Sequence, residues 1–150
     1  FSAEIEARDI VVETELHSDL PLLQLDRDQM KQAFYNVIKN SFEAMKRRGI
    51  LRIRTDRDES HVRVSFIDNG GGMSADALSH VFEPYYTTKA TGTGLGLLIV
   101  RRIVREHGGE LAIESTEGKG LTLTIRLPLS EQRVRMLEAG DRNSDRTGQD

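Results

Sequence analysis

The sequence has no cysteine. Disulfide stapling and thiolate metal sites are therefore excluded, and a reducing compartment is compatible but not demanded. No apolar run approaches the roughly 20 residues of a membrane-spanning helix, and the first residues do not read as a secretory signal. An excess of basic charge is missing too. The formal net charge is −3 and the pI is about 5.8, so nothing attracts nucleic acid or an anionic membrane in bulk. What remains is an ordinary soluble balance over 150 residues, with 37% hydrophobic and 30% charged. That is enough for one domain with a real core. The opening "FSAEIEARDI" has no methionine, and a piece of a longer protein is expected.

Periodicity divides the chain. "DIVVETEL" reads as a strand, and Asp26 as the N-cap of a helix over 27–48, stopped by Gly49. On that helix Met30, Ala33, Phe34, Val37, Ile38, Ser41 and Met45 share a face. "ILRIRTD" and "HVRVSFID" alternate with period two around "RDES", a hairpin. "SADALSHVFEP" is expected to be a short helix capped by Ser74 and ended before Pro84. "LGLLIVRRIVREHGG" is expected to be a helix with Leu95, Leu98, Ile99 and Ile103 inward and Arg101, Arg102 and Arg105 outward. Two strands follow, "ELAIEST" and "LTLTIRLP", around the turn "EGKG". Strands early, middle and late with helices between imply an α/β sandwich, a mixed sheet covered by helices on one face. Residues 1–130 form the domain in this reading. Residues 131–150 are a polar tail with at most one short helix, otherwise disordered.

Three features carry candidate chemistry. Gly92, Gly94 and Gly96 alternate and run into a helix. A helix N-terminus offers unpaired N–H groups, and glycine lets backbone approach a phosphate closely. A hinge before a core helix is the equal alternative. The P-loop and Rossmann spacings are both absent, since Leu97 and Leu98 follow the last glycine and no strand leads into the loop. Asp68 ends an apolar strand and precedes Gly70, Gly71 and Gly72. It reads as an acceptor for a ligand N–H beside room for a flat ring, or as an ordinary Asp-Asn-Gly turn. Asn36, Asn40 and Glu43 stand at i, i+4 and i+7, within about 60° of one another at about 100° per residue. They form either a solvated stripe or oxygen ligands for a hard cation such as Mg²⁺.

In this order the elements resemble the ATP-binding catalytic domain of bacterial sensor histidine kinases, in the GHKL ATPase superfamily. "QAFYNVIKNSFEAM" is similar to the N box, "DNGGGM" to the G1 box, "FEPYYTTK" to the F box and "GTGLGL" to the G2 box. The resemblance covers nearly all of residues 1–130, and the short stretch from Tyr85 to Thr91 resembles the nitrogen-regulator-like kinases. It implies a Bergerat-type fold, with a largely antiparallel mixed sheet, and a site for ATP with Mg²⁺. Asn40 would ligand the metal and Asn36 would face the phosphates or the metal's water shell. Asp68 would accept from the adenine amine, Gly70 and Gly72 would shape that pocket, and Phe82 would anchor the lid. Lys89 would reach the terminal phosphates, and Gly94, Leu95 and Gly96 would offer backbone N–H groups. The nucleotide-binding set extends to Glu43, Met73, Thr88, Gly92, Thr93 and Leu97, with Asn36 and Lys89 closest to the chemistry.

The sequence departs from the family pattern at Ser41, where the N box usually has alanine, at Tyr85-Tyr86 for paired phenylalanines, and at Leu121 for a threonine near the adenine. The largest departure is an absence. None of His17, His61, His80 and His107 sits in the family's "HE…P" phosphoacceptor setting, and all four read as structural or exposed. The phosphoacceptor would lie on a separate helical dimerisation domain, with a response regulator downstream. The resemblance implies a cytoplasmic, monomeric piece without direct membrane or nucleic-acid contact. Asn36 stands where the hydrolysing relatives carry an acid, and an amide takes no proton, so slow hydrolysis is expected. The competing readings are a GHKL serine kinase or ATPase, a GHKL module that binds nucleotide or protein without kinase activity, and a plain α/β domain whose glycines are turns.

Overall fold

The computed structural model describes residues 1–87 and 94–129. A five-stranded sheet has the order β1-β2-β3-β5-β4, built from Val11–Glu15, Ile50–Arg57, His61–Asp68, Gly120–Pro128 and Glu110–Thr116 as β1, β2, β3, β5 and β4. Only β1–β2 is parallel; the other three pairings are antiparallel. The parallel pair needs a crossover, and the helix α2 (Arg27–Met45) supplies it. The register Leu51–Asp68–Leu121–Ser115 runs across four strands. Alternation therefore puts these four side chains on one face and Thr122, the next residue on β5, on the other.

That face is the buried one. Leu51, Phe66, Leu123, Ile125 and Leu127 from the sheet meet Met30, Ala33, Val37 and Phe42 from α2 and Val100, Ile103 and Val104 from α4 (Gly96–Glu106). The mixed sheet covered by helices on one face is thus present as expected. So are the β2–β3 hairpin and the N-cap at Asp26, whose carboxylate accepts from the Gln29 N–H at 3.0 Å.

Several boundaries need correction. The α2 helix ends at Met45, not at residue 48, and Gly49 does not stop it. Its last carbonyls are taken by other segments. Phe42 O accepts from the Arg8 guanidinium at 2.8 Å and Ala44 O from the Gly71 N–H at 3.3 Å. The Arg48 N–H goes to Arg8 O, and Lys46 and Arg48 take positive φ. Arg8 belongs to a helix that the sequence reading did not anticipate, α1 (Ser2–Arg8). Phe1, at its N-cap, stacks on Tyr35 of α2. Between them, α1 and the glycine loop truncate α2. The helix after Ser74, α3 (Ala75–Ser79), is a single turn or so, and turns rather than helix lead on to Pro84.

The inward face of α4 is also rotated from the expected one. Val100, Ile103 and Val104 are buried, whereas Leu95 and Leu98 line an open surface groove with Arg101, Arg102 and Arg105. Leu and Val are equally apolar to a periodicity count. Which stripe turns inward is decided by the angle at which α4 packs on α2, which periodicity does not contain. No helix among the described residues is long and apolar enough to cross a membrane. The possible helix and tail after residue 130 lie outside the described residues.

Candidate functional site

The sheet supplies the floor of the site through Asp68, at the end of β3. Its side chain is buried to 6% exposure. Burial raises its carboxyl above the ordinary 3.8, because a charge loses its water there. Hydrogen bonds from the Gly70 N–H, the Ser41 hydroxyl and the Leu121 backbone pull in the other direction. The Gly70 bond is 3.0 Å long. Asp68 is therefore a buried acceptor held from three sides, and not merely the first residue of a turn. The carboxamide of Asn69 does the turn's work, accepting from the Ile50 N–H at 2.8 Å where β2 begins.

The glycines after Asp68 are set by close backbone packing. A Cβ on Gly70 would stand 2.8 Å from the Ala44 carbonyl. Gly72 has φ of +66°, and a Cβ there would collide with Thr116 O and reach Gly120 O at 2.9 Å. Gly71 has open space at its Cβ position but bonds at both ends, donating to Ala44 O and accepting from the Gly118 N–H at 2.7 Å. The loop is clamped between α2 and the β4–β5 turn. Met73 continues it, donating its N–H to Ser115 Oγ at 2.7 Å, while Ser115 donates to Gly120 O at 3.0 Å. Ser115 was not among the sequence candidates. Its signal was faint, a serine on the inward register of β4 in line with Asp68.

The wall of the site is α2. Asn36 and Asn40 are half-buried. They do not form a stripe facing solvent, because the start of α4 lies opposite them. The Cβ position of Gly96 is 3.7 Å from Asn36 Oδ1 and from Asn40 Nδ2. The N and G2 boxes, about 55 residues apart in sequence, meet there. Asn36 Nδ2 donates to Gln32 O one turn back at 3.0 Å, which leaves its oxygen on the Gly96 side. Glu43 lies one turn beyond Asn40, half-buried and hydrogen-bonded or charge-paired within the protein.

At its N-terminus α4 has no side-chain cap among the described residues, so its first N–H groups are the open donors of a helix start. Leu95 is the N-cap and Leu97 packs against the core. Gly94 has φ of +73°, and a side chain there would strike the backbone of Tyr85 and Tyr86. The turn after Phe82 is thereby held against the start of α4. Phe82 itself lies under the Arg101 guanidinium, 4.7 Å from the ring centroid. Arg101 was expected to point to solvent, but this cation–π contact ties the F box to α4. His80 bonds to Glu83 at 2.7 Å, which is the main reason its pKa is raised. Thr88, Lys89, Gly92 and Thr93 lie outside the described residues.

The donor set suits a nucleotide with a hard cation. A buried carboxylate accepts from an amine, uncapped N–H groups donate to phosphate oxygens, and amide oxygens suit Mg²⁺. No cluster of three His, Cys, Asp or Glu stands among the described residues. Leu121, in register with Asp68, packs against the core, so the position lacks the hydroxyl that a threonine would bring.

Fold and site together define a nucleotide-binding α/β sandwich of the GHKL class. The family described as histidine kinase-, DNA gyrase B- and HSP90-like ATPase matches residues 25–131, and the chain belongs to that family. It is 38% identical over 129 residues to the sensor histidine kinase ZraS of Escherichia coli K12, a match that covers 86% of this chain and 28% of ZraS. With sporulation kinase C of Bacillus subtilis it shares 45% identity over 121 residues, covering 80% of this chain and 28% of that kinase. The catalytic domain of histidine kinase ThkA superposes with a TM-score of 0.79 at 30% identity, covering 89% of this chain and 88% of that domain. The matched region therefore spans a little over a quarter of each of these two curated kinases. Family membership makes ATP the nucleotide that this fold is built to hold.

Proposed function

We propose that residues 1–130 are the catalytic domain of a two-component sensor histidine kinase, which holds Mg-ATP and presents its γ-phosphate to a histidine elsewhere. The observation that carries this is the meeting of Gly96 with Asn36 and Asn40 on the helix whose Ser41 hydroxyl bonds the buried Asp68. Asp68 accepts from the adenine amine. The first N–H groups of α4, around Leu95 and Gly96, bind phosphate oxygens. Asn40, with Asn36 beside it, holds Mg²⁺, which when bound neutralises phosphate charge. Lys89 reaches the terminal phosphates, and Thr88, Gly92 and Thr93 complete the phosphate loop.

Phosphoryl transfer asks the protein for positioning and charge neutralisation more than for covalent chemistry. A neutral imidazole brings its own nucleophilicity. None of the four histidines here is placed to be that nucleophile. His61 and His107 are buried, His80 is bound to Glu83, and His17 accepts from the Asp19 N–H. The acceptor then comes from the helical dimerisation domain of the longer protein, and the phosphoryl group passes on to a response regulator. The chain alone is a cytoplasmic monomer that binds nucleotide, hydrolyses it slowly and does not phosphorylate itself.

The test is calorimetric titration with ADP and ATP, with and without Mg²⁺. Asp68→Ala is expected to abolish binding, and Asn40→Ala to remove chiefly the Mg²⁺ dependence. Absence of nucleotide binding by the native chain would overturn the reading in favour of a partner-binding module of the same family.

A further inference from the structure

The nucleotide site needs two helices in register, and one buried side chain joins them at the far end. His107 follows the last turn of α4 and is 4% exposed. Its Nε2 accepts the Asp26 N–H at 3.0 Å, and its Nδ1 faces Ile103 O at 2.7 Å. The two contacts require the proton on Nδ1, donated to the carbonyl. Asp26 is the N-cap of α2. One imidazole therefore bridges the end of α4 to the beginning of α2.

At the other end of α4, Gly96 meets Asn36 and Asn40, so the two helices run antiparallel. From Gly96 to His107 is 11 residues, about 16 Å of helix at 1.5 Å each. From Asp26 to Asn36 and Asn40 is 10 to 14 residues, about 15–21 Å on the same rise. The spans match, and a slide of α4 along α2 moves both ends together. Between the ends the contact is aliphatic, with Val100, Ile103 and Val104 packed in one core with Ala33 and Val37. Such packing is non-directional and tolerates small shifts. A hydrogen bond with both distance and angle to satisfy does not.

We propose that His107 is a positioning residue that sets the axial register of α4 on α2, and so holds the uncapped N–H groups at Gly96 opposite Asn36 and Asn40. The inference rests on the nucleotide reading of that site. It touches neither nucleotide nor metal.

Two substitutions separate its contacts. In His107→Gln an acceptor oxygen remains at the reach of Nε2. In His107→Asn only the donor towards Ile103 O remains. Val104→Ala serves as a control that loosens the same interface without touching the bridge. Each variant is titrated with Mg-ATP, melted, and examined by NMR for the side-chain amides of Asn36 and Asn40 and the backbone amide of Gly96.

The expected result is that His107→Asn weakens Mg-ATP binding about tenfold, the scale of one lost directional bond, and shifts the three resonances. His107→Gln restores both, and Val104→Ala lowers the melting temperature while affinity stays within about twofold. Native-like affinity and resonances in His107→Asn overturn the proposal, as does a His107→Gln variant as weak as His107→Asn. Equal weakening by Val104→Ala also overturns it. Should the native chain bind no nucleotide, the functional reading fails by itself. The resonances still decide the register claim, since shifts in Asn that reverse in Gln support it and unmoved resonances refute it.

Discussion

Backbone fills the Cβ positions of Gly70 and Gly72, whereas among the described residues the space beside Gly96 meets only side chains. Around the first cluster the Ala44, Thr116 and Gly120 carbonyls occupy the positions where side chains would project. Beside Gly96 the nearest atoms are the carboxamides of Asn36 and Asn40, at ordinary contact distance. Gly70 and Gly72 are glycine because the fold closes on them, as it does on Gly94 against Tyr85 and Tyr86. Gly96 is glycine at a helix start where no close contact among the described residues demands it. The difference separates residues selected for packing from residues selected for a ligand, and it predicts which measurement each substitution moves.

The largest effect is expected on the packed side. Gly72→Ala combines a positive φ with a collision against Thr116 O, so it should cost at least about 2–3 kcal/mol. The melting temperature should fall by roughly 10 °C. Thermal unfolding checks this, and a native-like melt would show that the β4–β5 turn gives way easily.

On the ligand side, Asp68 links affinity to pH. Burial raises its folded pKa above 3.8, so the folded state takes up the proton first as pH falls. Its own contribution to stability therefore grows towards acid and is lost as pH rises through the raised value. Nucleotide affinity runs the other way, because the protonated carboxyl is a poorer acceptor for the adenine amine. ADP titrations in acid should lose affinity above the usual carboxylate range, and Asp68→Asn should remove that slope. A native slope confined to the region of 3.8 would contradict the assignment.

A smaller effect is expected at His61, far from the nucleotide. Burial lowers its pKa below 6.5, with the Arg126 charge adding to the shift. The unfolded chain is then protonated first, and stability falls as pH drops below about 6.5. Melts of the native chain and of His61→Asn should diverge with pH in that direction, with nucleotide affinity unchanged. Parallel melting curves would remove His61 from the account.

Much of this was legible in the sequence because its signals are local. The β2–β3 hairpin, the Asp26 cap and the strand ending in Asp68 follow from alternation and capping chemistry. The four boxes were readable as a set. What remained hidden depends on contacts between distant segments. The early end of α2 comes from Arg8 and Gly71 taking its carbonyls. The rotated face of α4, the Arg101–Phe82 contact and the burial of His107 all follow from how α4 lies on α2. A histidine before two glycines reads as a helix end, and only the structure shows Asp26 beside it.

Gly96→Ala tests the contrast between the clusters most directly. Among the described residues outside its own helix turn, its Cβ position has no atom closer than 3.7 Å, and alanine is the better helix former by up to about 1 kcal/mol. The melting temperature should hold or rise. Mg-ATP affinity, read by calorimetry on the same sample, should fall at least about tenfold, since the methyl occupies the space between the helix start and the two asparagines. Unchanged affinity with an unchanged melt would contradict the account, because Gly96 would then serve neither the fold nor the nucleotide.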